Sequence, residues 1–99
     1  MNLIDKNIDN LNDLCKKYKV GKLFVFGSLL IGKFKKNSDI DFIVDFQNLD
    51  LYDYADNYFD FKFSLENLFK RKIDLLEDKA INNPFLRKSI DSTKQLVYG

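Results

Sequence analysis

Asp39 and Asp41 stand two residues apart in the segment Asp39–Phe46 (DIDFIVDF). On a strand that spacing sends both side chains out of the same face. Carboxylates so close repel each other, and a metal cation is the usual reason a chain tolerates them. An all-oxygen donor set suits hard Mg²⁺, with Mn²⁺ as its substitute, and disfavours zinc or copper. Asp74, in Lys72–Leu76 (KIDLL), offers a third carboxylate at the matching face of another strand. Three such groups can hold two metal ions about 4 Å apart, the arrangement used for in-line phosphoryl chemistry. Gly27-Ser28 supplies the other half. Glycine allows a sharp strand-to-helix turn, the N–H groups after it make a helix N-terminus suited to phosphate, and the Ser28 hydroxyl is a further donor. Singly, an Asp-x-Asp is more often a solvated strand end and a Gly-Ser only a turn. Together, each lies where the others require it.

Composition narrows the chemistry further. The 99 residues include no histidine, so Ser-His-Asp and Cys-His catalysis and His-ligated zinc are excluded. Cys15 is the lone cysteine, so neither an intramolecular disulfide nor a Cys₄ site can form. Sixteen basic against fifteen acidic residues give a net charge of +1. Bulk charge therefore points to neither nucleic acid nor a membrane, and direct nucleic-acid binding is not expected. The longest apolar run is too short to span a bilayer, and the N-terminus, with Asp5 and Asp9, does not read as a signal peptide. A cytoplasmic location is expected. The length suits one domain with a single core, spanning residues 1–99.

These groups need elements to hold them. Ile4, Ile8, Leu11, Cys15 and Tyr18 recur at helical spacing and predict an amphipathic helix over Asn2–Lys19, with Gly21 ending the connection. Lys22–Phe26 (KLFVF) reads as a strand, and Leu29-Leu30-Ile31 as a short helical turn stopped by Gly32. In Asp39–Phe46 the even positions Ile40, Phe42, Val44 and Phe46 make one apolar face. The odd positions Asp39, Asp41, Ile43 and Asp45 make a mostly acidic one. Asp45, further along, reads as structural or solvent-facing. Leu51–Phe69 predicts a long helix with Leu51, Ala55, Tyr58, Phe59, Leu65, Leu68 and Phe69 as its buried stripe. Its aromatic series exceeds what one face can bury, so part of it is expected to remain an exposed patch for a partner. Lys72–Leu76 is a third strand, and Asn83-Pro84 caps a last helix running to about Tyr98. The order predicts a small sheet covered by helices, with strand directions open.

Gly27-Ser28, ten intervening residues, then Asp39-Ile40-Asp41, set in GSLLIGKFKKNSDIDFIVDF and followed by KIDLLE, resembles the DNA polymerase β-like nucleotidyltransferase superfamily. The likeness is greatest to its minimal, MNT-type branch. The resemblance implies an α+β fold, a small mixed β-sheet flanked by helices. It implies a nucleoside triphosphate, ATP by family expectation, over Gly27 and Ser28. Asp39 and Asp41 would ligate the metals, and Asp74 would hold the ion that activates an acceptor hydroxyl. That hydroxyl attacks the α-phosphate and pyrophosphate leaves. Minimal members are commonly encoded beside an all-helical HEPN-domain RNase toxin, for which they act as antitoxin, and some adenylylate a tyrosine of the toxin. The implied partner is therefore a HEPN-domain protein, with homo- or hetero-oligomerisation open.

One departure stands out. Relatives often carry arginine after Gly-Ser, where this chain has Leu29-Leu30-Ile31. Lys33, Lys35 or Lys36 could replace that charge on the triphosphate, or could form an ordinary solvated loop. Lys70-Arg71-Lys72 reads as a solvated helix end, with an acceptor-side role open because Asp74 is near. Besides a catalytic adenylyltransferase, the pattern admits a non-catalytic module that neutralises its partner by contact, which the apolar turn favours. Transfer to a small molecule or an RNA 3′ end is a third reading, though it usually requires additional acceptor domains. With so short a chain, acceptor specificity is expected to reside in another protein.

Overall fold

The computed structural model describes residues 2–27 and 39–99. Two helices, α1 (Asn2–Lys6) and α2 (Ile8–Lys17), precede strand β1 (Val20–Phe26). Strand β2 (Ile40–Phe46), helix α3 (Leu51–Phe69) and strand β3 (Ile73–Glu77) follow. A 3₁₀ turn (Asp78–Ala80), helix α4 (Pro84–Thr93) and strand β4 (Gln95–Tyr98) complete the order. The four strands form one mixed sheet in the order β3-β2-β1-β4. β1 is antiparallel to both β2 and β4, while β2 and β3 are parallel.

The apolar face of β2 behaves as its alternation requires. Ile40, Phe42, Val44 and Phe46 are buried and join Leu23, Val25, Ile73 and Leu75 of the neighbouring strands against Leu11, Cys15, Phe61 and Leu65 of the helices. Burial pushes the Cys15 thiol up to about 12, so it stays protonated and unreactive. The other face of the sheet is covered as well: Ile43 is buried there beside its cross-strand partner Phe24. The Lys94 ammonium lies 4.3 Å from the centre of the Phe24 ring. Ile90 of α4 is also buried, outside the main cluster.

The α3 boundaries agree with the expected helix, and Tyr58, Leu65, Leu68 and Phe69 of the expected stripe pack inward, but the N-terminal part of that stripe does not. Phe61, Leu65 and Phe69 are the buried residues, with Tyr54, Tyr58 and Leu68 partly buried against the same core. Leu51, Ala55 and Phe59, expected inside, are exposed. The series 54, 58, 61, 65, 68 holds helical spacing through all five turns, whereas a stripe through 51, 55 and 59 drifts off it.

Three other expectations are corrected. The first helix breaks at Asn7, whose side chain donates to Leu3 O at 2.9 Å and whose N–H bonds Ile4 O at 3.0 Å, closing a tighter turn. The reversal into β1 is made by Lys19, at φ +58, and not by Gly21. Gly21 lies within β1 at a register shift, where a Cβ would sit 3.1 Å from Asp45 O. The last helix stops at Thr93 and residues 95–98 form β4. Ser92 and Thr93 hydroxyls donate back to Ser89 O at 2.9 Å each, competing with continued helix, while β1 offers an open edge.

The edge strand β3 is closed by α3. Tyr58 Oη donates to Leu75 O at 2.5 Å, and Glu66 Oε2 accepts from Ile73 N at 3.3 Å. Two outward-facing backbone groups are thereby satisfied, which blunts the edge against pairing with another chain. At the start of α4, Asn83 Oδ1 accepts from Phe85 N at 2.9 Å and Leu86 N at 3.2 Å, with Pro84 first in the helix, as the sequence implies. Asn83→Ala should cost about 1 kcal/mol of stability, read as a lower urea midpoint at unchanged slope.

Candidate active site

The sheet topology brings the carboxylates together. β1 runs antiparallel to β2, and β3 runs parallel to β2. The C-terminal end of β1 therefore coincides with the N-terminal ends of β2 and β3. In that register Asp41 lies between Phe26 on one side and Asp74 on the other. Gly27 continues directly from Phe26 at φ +83, a conformation natural only to glycine. A Cβ at Gly27 would overlap Asp41 Oδ2. The glycine thus does two things: it turns the chain and leaves room for a carboxylate beside the turn. Gly27→Ala is expected to cost about 1–3 kcal/mol, measured by urea unfolding. A cost under half a kcal/mol would show that the turn and the carboxylate do not crowd each other.

The acids interact strongly. The Asp41 carboxyl is pushed up to about 6, chiefly by burial, then by its hydrogen bond to Asp74 and by the charges of Asp74 and Asp39. Asp39 sits half-buried just before β2, close enough for its charge to act on Asp41. Asp74 is exposed on β3. All of these influences raise the Asp41 carboxyl, and the part due to Asp74 and Asp39 is a repulsion that a bound cation would relieve. Among the described residues no three carboxylates converge closely enough to enclose an ion unaided. The three-carboxylate cluster expected from the sequence is therefore not assembled as an ion cage by Asp39, Asp41 and Asp74 alone, and water or substrate phosphate oxygens would have to complete the shell of any bound ion. The all-oxygen pair Asp41 and Asp74, beside a turn whose glycine leaves the Asp41 carboxylate room, fits a hard divalent ion in chemistry.

Ser28 and Lys33, the other expected nucleotide contacts, lie outside the described residues, as do Leu29-Leu30-Ile31, Lys35 and Lys36. Asp45 is at the far end of β2, 3.9 Å from the Lys79 ammonium. Lys70 ends α3 in the left-handed region at φ +54 and is exposed, as is Lys72, whose carbonyl accepts from Ile40 N at 3.2 Å.

The structure adds a feature the sequence did not single out. At the opposite end of β2 and β3 a pocket of about 140 Å³ is lined by residues including Asp45, Gln47, Tyr54, Glu77 and Lys79. Burial, then a hydrogen bond to Glu77, holds the Tyr54 hydroxyl well above the ordinary tyrosine range. Nothing in the local spacing marks Tyr54 and Glu77 as neighbours, because the 22 residues between them include most of α3.

The family model described as "Polymerase beta, Nucleotidyltransferase" matches residues 9–99. A protein of Methanocaldococcus jannaschii named "Putative protein adenylyltransferase MJ1379" is 35% identical over 82 residues, covering 83% of this chain and 79% of the relative. Among solved structures, one described as a minimal nucleotidyltransferase superposes with a TM-score of 0.76 at 22% identity, covering 93% of this chain and 90% of its own. Another is a tri-AMPylated HEPN toxin of Shewanella oneidensis in complex with MNT antitoxin. Its matching chain gives a TM-score of 0.65 at 17% identity, covering 96% of this chain and 71% of that one. At these identities the two structures establish the fold.

Proposed function

The chain belongs to the polymerase β nucleotidyltransferase family, and from that premise we propose that it transfers AMP from ATP to a hydroxyl of a partner protein, releasing pyrophosphate. The partner we propose is a HEPN-domain toxin, for which this chain serves as antitoxin. The reading is supported by the relative's name and by the AMPylated toxin in the similar complex. The observation that carries it is the pairing of Asp41 with Asp74 beside the Gly27 turn.

The roles follow from where each group sits. Gly27, having no side chain, lets the backbone come close to the triphosphate, with Ser28 and Lys33 as further contacts. Asp39, Asp41 and Asp74 would hold the divalent cation, Mg²⁺ in this proposal. When bound, it supplies charge neutralisation on the phosphates and acidifies the acceptor hydroxyl. Asp74, exposed on β3, would be accessible to an acceptor hydroxyl. The hydroxyl oxygen attacks the α-phosphorus in line, the bond to the β-phosphate oxygen breaks, and the hydroxyl proton passes to solvent. Positioning and electrostatics do most of the work.

The test combines the chain, Mg²⁺ and ATP labelled at the α-phosphate with the purified product of the neighbouring gene, which this reading expects to be a HEPN-domain protein. Label on that protein, lost in Asp39→Asn and Asp74→Asn, supports the reading. A tight complex that takes no label, together with full neutralisation of the toxin by both variants, would sink it.

A further inference from the structure

The outward side of α3 is apolar where a solvated helix should be polar. Tyr52, Phe59 and Phe63 are 97%, 49% and 54% exposed, and the rings of Phe59 and Phe63 stack at 6.3 Å. Their spacing of seven and four places them on one stripe, opposite the Phe61-Leu65 stripe that enters the core. It runs about 16 Å, three turns of helix. Exposed Asp53, Asp56 and Asp60 flank it. α3 carries four acids and one base, leaving fifteen basic and eleven acidic residues for the rest of a nearly neutral chain. Aromatic surface and negative charge are therefore concentrated together.

We propose that this face of α3 docks a basic amphipathic helix of a partner protein, its apolar side chains over Tyr52, Phe59 and Phe63 and its Lys or Arg residues beside Asp53, Asp56 and Asp60. Charge chooses among occupants. A second copy related by a two-fold axis would set the same acids against each other. Nucleic acid and anionic membranes are repelled for the same reason. An uncharged helix would leave the acids unmatched at the rim of a buried contact. A helix matches the three-turn ridge, with anchors at positions i, i+3, i+4 and i+7. The proposal rests on the adenylyltransferase reading only for the identity of the partner. It places partner capture on a surface that includes none of the residues assigned to transfer.

Two 18-residue helical peptides test it on the full chain, one built from Leu and Lys and the other from Leu and Glu. The Leu-Lys peptide should bind at least tenfold more tightly than the Leu-Glu peptide. Its binding should weaken as salt rises and should protect α3 amides from hydrogen exchange. The double variant Phe59→Ser/Phe63→Ser should lose at least tenfold in that affinity, with its thermal midpoint and ATP binding near wild type. Equal affinity for the two peptides, protection away from α3, or an unaffected variant overturns the proposal. So does a dimer of the chain that the variant abolishes, which would assign the face to a second copy. Peptide binding does not depend on transfer, so loss of label transfer with intact peptide binding would count against the function and not against this face.

Discussion

Asp41→Asn is expected to lower nucleotidyl transfer about 10²- to 10³-fold while making the unliganded protein more stable. If Asp41 holds the cation as proposed, its loss withdraws about 3–4 kcal/mol of charge stabilisation, which converts to that rate loss. The stability gain follows from the raised carboxyl. In the folded protein Asp41 holds its proton up to about pH 6, against 3.8 when unfolded. Between those values the folded state binds more protons, so stability falls as pH rises from about 4 to 6 and stays lower above that. Unscreened, the displacement corresponds to about 3 kcal/mol, and because the carboxyl is only half-buried we expect about 1 kcal/mol. Urea midpoints of wild type and Asp41→Asn should therefore converge near pH 4 and separate by pH 7, with Mg²⁺ narrowing the gap. A variant that is inactive and less stable at pH 7 would show that Asp41 is structural.

Phe61→Ala should bring the molecule close to unfolding. The ring is fully buried, 5.8 Å from the Tyr18 ring centre and 5.9 Å from that of Phe46, joining α2, α3 and β2. Truncating a buried phenylalanine costs about 3–5 kcal/mol, a large share of the roughly 5–15 kcal/mol that holds a domain together. The Tm should fall by on the order of 20 °C. Phe59→Ala, two residues away but facing solvent, should cost less than about 1 kcal/mol. If Phe59→Ala proves the more damaging, α3 is rotated on the sheet relative to the orientation described.

The helix that contains both phenylalanines was bounded correctly by sequence, and its C-terminal half was oriented correctly, but Leu51, Ala55 and Phe59 were expected inside and Phe61 was not. Its fifteen-percent-aromatic chain offers two apolar stripes on one helix, and periodicity alone does not say which one meets the sheet. Packing against Tyr18 and Phe46 decides it. The same limit applied at both ends of the chain. Asn7 breaks a helix through a local hydrogen bond that spacing does not reveal. Residues 95–98 become a strand because β1, seventy residues earlier in the chain, has a free edge.

The sequence by itself determined the family, through the motif of Gly27-Ser28 and Asp39-Ile40-Asp41. Asp39, Asp41 and Gly27 are tied by local spacing, strand alternation and glycine's backbone freedom, which act within a few residues. Absence of histidine left carboxylates, hydroxyls, lysines and bound metal as the sources of chemistry. Only the tertiary structure decided that Asp74 lies in register with Asp41, that Gly27 leaves room for its carboxylate, and that Phe59 and Phe63 face solvent. Those facts depend on strand order and helix rotation, which are set by contacts between residues far apart in the chain.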